Sequence, residues 1–214
     1  MAKAFRHVGG AYVAELDEDE ARLVVTLARD VLHLLGTRAG EDTASGEMPD
    51  VPGPAGASGT SWWEELGLND PEAHPRADSL DPPTDPALAR LLPDLTDDDP
   101  EEQARLRAEL EPHVIESKQR ALNEAIGLLR HDPLRVTEEA APRFSAAMND
   151  IRLVLAERLG IEDEESAERV TRLAESNPKR GSQGVDDVEH FMAMLYSFVS
   201  WLQDSLMTAL LKRR

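Results

Sequence analysis

The sequence predicts a mainly α protein, a helical bundle of about six helices with an N-terminal β-hairpin. Three features point there. Asp-led helix starts, as Asp17-x-x-Glu20, Asp85-Pro86 and Asp99-Pro100, precede apolar runs at helical spacing. A Gly9-Gly10 pair divides two short β-forming runs within 4–16, the mark of a tight hairpin. Aromatic residues make up only 4%, so Leu, Val, Ile, Ala and Met must build the core.

The hairpin is too small to stand alone in water and should lean on a helix. Asp17 and Glu20 then form a capping box, and Leu23, Leu27, Val31 and Leu34 repeat at helical spacing. This predicts a first helix over about 17–35, closed by Gly36. From 37 to 84 the chain is rich in Gly and Pro and poor in core formers, a composition expected to stay flexible. Inside it lies one apolar island, Ser61-Trp62-Trp63-Glu64-Glu65-Leu66-Gly67-Leu68, in which Ser61 can cap a turn carrying both indoles. The chain thus divides into 1–36, a flexible insert over 37–84, and the rest of the helical domain over 85–214.

Asp85-Pro86 opens a short helix and Asp99-Pro100 a longer one. Pro112 is expected to break or kink the latter and restart it over about 112–131, with Val114, Ile115, Leu122, Ile126 and Leu129 inward. Thr137-Glu138-Glu139 reads as another start, although Pro142 fits better if the helix begins near 141. That helix carries Phe144, Met148, Ile151, Leu155 and Leu159 and ends at Gly160. A charged helix follows over 163–175. The last helix, 186–212, bears a wide apolar stripe from Val188 to Leu210 suited to the middle of a bundle. Met148, Met192 and Met194 are expected to be largely buried.

The net charge is −19, and −18 of it falls in 15–111. Such a surface repels the DNA backbone, so direct DNA binding is disfavoured, although 112–160 is neutral with seven bases. Cysteine is absent, which removes disulfides, thiolate metal sites and thiol catalysis. No stretch has the length of a membrane span and the N-terminus has no signal-peptide core, so the expected location is the cytoplasm.

No catalytic constellation emerges. His7, His33, His74, His113, His131 and His190 share no metal-binding spacing, and the acidic runs sit at helix starts, where they cap free N–H groups. Neither a phosphate loop nor a nucleophile elbow is present. We therefore expect no enzyme activity, metal or cofactor, and a function exerted through a protein partner. The candidate contact residues are Trp62, Trp63 and Leu66, because indoles concentrate at interfaces, together with Asn149, Asp150 and Arg152. Each set has a structural alternative: docking onto the chain's own bundle for the first, interhelical hydrogen bonds for the second.

Several motifs in order carry a family resemblance. They are DPALARLLPD at 85–94, the acidic DDDPEEQARLRAEL, Lys118, Asn149-Asp150-Ile151-Arg152-Leu153 with Arg158-Leu159-Gly160, Leu195-Tyr196, and Trp201-Leu202-Gln203-Asp204-Ser205-Leu206. Over about 1–36 and 85–211 the chain resembles the actinomycete oxidative stress regulator (AosR) family, formerly a domain of unknown function encoded beside the Clp protease adaptor. The resemblance implies transcriptional regulation by association with a sigma factor of the extracytoplasmic-function type, or with RNA polymerase. An alternative is an accessory role in Clp proteolysis. The disulfide switch proposed for the family cannot operate here, because there is no cysteine.

Overall fold

A computed structural model describes residues 2–40, 81–94, 96, 99–176 and 185–212. Trp62, Trp63 and Leu66 lie outside them. Strands β1 (Lys3–Val8) and β2 (Ala11–Glu15) form the hairpin, and α1 is Glu18–Ala39. Helices α2 (Pro86–Leu91) and α3 (Pro100–Leu129) follow, then a short strand β3 (Leu134–Thr137). Helices α4 (Ala141–Arg158), α5 (Glu164–Glu175) and α6 (Val185–Leu211) complete the described chain. The fold is mainly α, with six described helices and the antiparallel N-terminal strand pair.

The caps are those that the sequence encodes. Asp17 Oδ1 accepts from the Glu20 N–H at 2.9 Å while Glu20 Oε2 accepts from the Asp17 N–H at 2.8 Å. The Glu20 N–H and neighbouring donors hold the Asp17 carboxyl below its ordinary range. Asp85, Asp99 and Asp163 likewise accept from first-turn N–H groups of α2, α3 and α5, and Asp163 forms a second capping box with Ser166. Gly9 and Gly10 have φ of 57° and 78°, which a two-residue hairpin turn needs and glycine adopts without steric cost.

Four expectations are corrected. Helix α1 ends at Gly40 (φ 73°) rather than at Gly36, which is buried inside it. Pro112 does not split α3. It and Ala108 are exposed, so the carbonyl that loses its partner can meet water. Val114 points outward, 38% exposed, while Ile115, Leu122, Ile126 and Leu129 are buried as expected. The hairpin is not limited to two strands, because β3 adds to it in the order β1-β2-β3, pairing Tyr12 with Val136 and Ala14 with Leu134. Thr137 ends that strand and its Oγ1 accepts from the Ala140 N–H at 3.2 Å, so α4 starts at Ala141. Pro142 then falls in the first turn, where its missing N–H costs no helix bond.

A single core joins all these elements. Tyr12 and Ala14 of the sheet, Val24 and Leu35 of α1, Leu122 of α3, Phe144, Met148 and Ile151 of α4, and Val199, Leu202 and Leu206 of α6 are buried together. Helix α1 packs on α3, α3 on α4, α4 on α6, and α5 and β1 on opposite parts of α6. Phe5 on β1 meets Phe144 edge-on with ring centroids 6.0 Å apart. The sheet is thereby anchored beside α6. No described helix is long and apolar enough to cross a membrane.

Candidate partner-binding surface

The two halves of the predicted polar patch on α4 divide between inside and outside. Asp150 is buried and its Oδ1 accepts from Lys118 Nζ of α3 at 2.6 Å. Burial pushes its carboxyl pKa up, and the Lys118 ammonium pulls the other way. Removal from water is the larger effect at this site, as expected for an ion pair inside a core. Asn149, one position earlier, is exposed. Arg152 is half-buried and reaches across to α6, donating to Gln203 Oε1 at 2.7 Å with its guanidinium 5.8 Å from the Tyr196 ring centre. Gln203 Nε2 in turn donates to the Ser145 carbonyl at 3.1 Å and to Ser145 Oγ at 3.2 Å. Ser145 Oγ donates to Met207 Sδ at 3.6 Å. A polar chain therefore fixes the register of α4 against α6 and leads out to the surface of α6.

That surface was not anticipated from the sequence. Four of the seven large apolar side chains left exposed among the described residues lie on α6: Met194, Trp201, Met207 and Leu211. Trp201 is 37% exposed and stacks on Phe198, with centroids 5.9 Å apart and planes 22° from parallel. Met194 is 43% exposed, contrary to the burial expected for it, whereas Met148 and Met192 are buried. Helix α6 thus carries apolar side chains on its outer side as well as on the side that meets the bundle, with Asp204 and Thr208 exposed among them. Its inner face is Met192, Leu195, Val199, Leu202 and Leu206. Exposed apolar side chains grouped on one helix make this flank a candidate contact surface.

Beside Trp201 a groove of about 510 Å³ runs between β1, α5 and α6, lined by Phe5, Thr171, Tyr196, Ser200, Trp201 and Asp204 among others. Ser200 Oγ is buried there without a hydrogen-bond partner. At its edge the Phe5 N–H donates to Ser205 Oγ at 3.4 Å, which ties the β1 edge to α6. His190 takes no part. It is buried between α5 and α6 with Nδ1 2.8 Å from the Leu173 carbonyl, a distance that places the ring proton on Nδ1. Among the described residues no group of three or more His, Asp or Glu side chains is placed to hold a metal ion.

The family model described as Domain of unknown function (DUF2017) matches residues 2–210. The chain belongs to that family. It is 37% identical over 94 residues to the oxidative stress regulator AosR of Mycobacterium tuberculosis H37Rv, covering 37% of this chain and 43% of that protein. The AosR protein of Mycobacterium bovis matches to the same extent. A Mycobacterium leprae protein whose name marks the AosR assignment as provisional is 34% identical over 110 residues, 44% of this chain and 50% of that one. The matched region spans half or less of these curated relatives. No solved structure matches the chain.

Proposed function

We propose that this chain is a non-enzymatic regulator of the oxidative-stress response that acts by binding a sigma factor of the extracytoplasmic-function type through the outer face of α6. The observation that carries the reading is the exposed set Met194, Trp201, Met207 and Leu211 on one helix, with Arg152 and Tyr196 alongside. Trp, Tyr, Arg and Met are the side chains enriched at protein interfaces. Charge supports the class of partner. At −19 the chain repels nucleic acid and attracts the basic surfaces with which sigma factors meet DNA. The similarity to proteins named oxidative stress regulators supports the process.

The test is a titration of the full chain with a purified sigma factor of that type. Trp201→Ala should weaken binding by about 2 kcal/mol, the scale of an interface anchor. A urea unfolding curve checks that the fold is kept, since Trp201 is partly exposed and packs chiefly on Phe198. Undiminished binding by Trp201→Ala would move the interface elsewhere. No binding by the unaltered chain, with capture of the Clp adaptor in its place, would replace the sigma-factor reading by one of proteolysis.

A further inference from the structure

We infer that Met194 and Met207 form a thiol-free oxidation site, at which peroxide alters the outer face of α6. The inference rests on the reading of that face as the docking surface. There is no cysteine in the sequence, so the oxidisable sulfur of this chain is all thioether. Among the four methionines in the described residues the fold draws a sharp division. Met148 and Met192 are 0% and 4% exposed, while Met194 and Met207 are 43% and 42% exposed. Oxidant reaches a thioether by collision, so exposure sets the order of attack.

Position makes the modification consequential. Met194 lies two helical turns before Trp201, so both project from the same side of α6, and Met207 lies one turn before Leu211. At about 100° per residue Met207 stands about 120° around α6 from the indole, so the two thioethers mark two sides of the exposed surface, Met194 beside Trp201 and Met207 toward α4. Met207 Sδ also accepts from Ser145 Oγ, the outer end of the Arg152–Gln203–Ser145 chain. Peroxide would transfer one oxygen atom to Sδ. The O–O bond breaks, an S–O bond forms, the sulfide is oxidised by two electrons to the sulfoxide, and the peroxide is reduced to water. A sulfoxide oxygen is a far better acceptor than a thioether, so the Ser145 hydroxyl would turn toward it. A polar group would then stand where an apolar partner surface packs.

The experiment treats the full chain with graded hydrogen peroxide and maps added oxygen by peptide mass spectrometry. Each sample is then titrated with the purified extracytoplasmic-function sigma factor. Met194 and Met207 should gain oxygen well before Met148 and Met192. Affinity should fall about tenfold in step with them, and a methionine sulfoxide reductase should restore it. Diamide, which acts on thiols, should change nothing when the partner is thiol-blocked. In M194L/M207L the readout is the ratio of affinities with and without peroxide, whatever the starting affinity, and that ratio should be close to one. Equal oxidation of buried and exposed methionines overturns the site. So does unchanged binding after Met194 and Met207 are fully converted, or a peroxide response that persists in M194L/M207L. If the unoxidised chain does not bind the sigma factor, the proposed function fails by itself, and the order of oxidation still decides whether these two methionines are the site.

Discussion

Asp30 offers the sharpest test of the core. It sits on α1, 6% exposed, and its Oδ2 has no hydrogen-bond partner. Burial pushes the carboxyl pKa from 3.8 up to about 8, opposed only by the charge of Arg29. The folded carboxyl therefore holds its proton more tightly than the unfolded one. The linked stability is complete below about pH 4, falls as pH rises, and is gone once pH passes the folded pKa of about 8. Each pH unit in that window removes at most about 1.4 kcal/mol. The full shift would remove roughly 6 kcal/mol, and water drawn to the ionised group lowers this to a working figure of about 2–4 kcal/mol. Asp30→Asn keeps the shape and cannot ionise. In urea unfolding at about pH 5 the two proteins should agree within about 1 kcal/mol, and at about pH 9 the variant should be more stable by about 2–4 kcal/mol. A difference that stays constant across that range, or a variant that is the weaker one at high pH, would refute the assignment of a neutral buried acid.

Lys118→Ala should cost about 3 kcal/mol near neutral pH, because it leaves Asp150 buried without its counter-ion. The loss should shrink as acid protonates Asp150, and Lys118→Met with Asp150→Leu should recover most of it, as read from urea midpoints. Trp62→Ala with Trp63→Ala should weaken capture of the sigma factor while leaving the unfolding midpoint in place; a marked drop in that midpoint would assign the indoles to the chain's own core instead.

The fold was legible where a single local signal decides it. Asp17 with Glu20, Asp85-Pro86, Asp99-Pro100 and the Gly9-Gly10 pair each act within a few residues, and each stands where the spacing places it. Apart from Pro112, which α3 tolerates because Ala108 is exposed to water, most misses are cases in which distant contacts choose between local options. Gly36 and Gly40 are both acceptable helix stops, and burial of Leu34, Leu35 and Gly36 carries α1 one turn further. The four residues of β3, Leu134 to Thr137, alternate apolar and polar but are too few to announce a strand, and the open edge of β2 makes them one. The division within Asn149-Asp150-x-Arg152 is likewise set by Lys118 and Gln203 on other helices. The exposed flank of α6 had a visible signal, apolar residues at 194, 201, 207 and 211 as well as at 195, 199, 202 and 206, but that pattern fits a fully buried helix equally well.

The distribution of ion pairs bears on the kind of partner that the charge favours. Among the described residues thirteen Lys and Arg side chains are engaged in salt bridges within the chain. Some of these hold the architecture. Arg38 and Arg107 converge on Glu111 at 2.6 and 2.5 Å, and Arg107 also meets Asp94 at 2.5 Å, which fastens the segment after α2 to α3. Arg158 meets Asp85 at 2.7 Å and so binds the cap of α2 to the end of α4. Arg90 pairs with Glu157 across the same two helices. A guanidinium committed in this way cannot also displace counter-ions from a phosphate backbone, and the acids left over set the outward field. Such a field draws in basic surfaces from a distance of about a Debye length, roughly 8 Å at physiological salt, whereas the apolar flank of α6 acts only at contact. The two together favour a partner with basic charge around an apolar patch, brought in by charge and held by packing against Trp201.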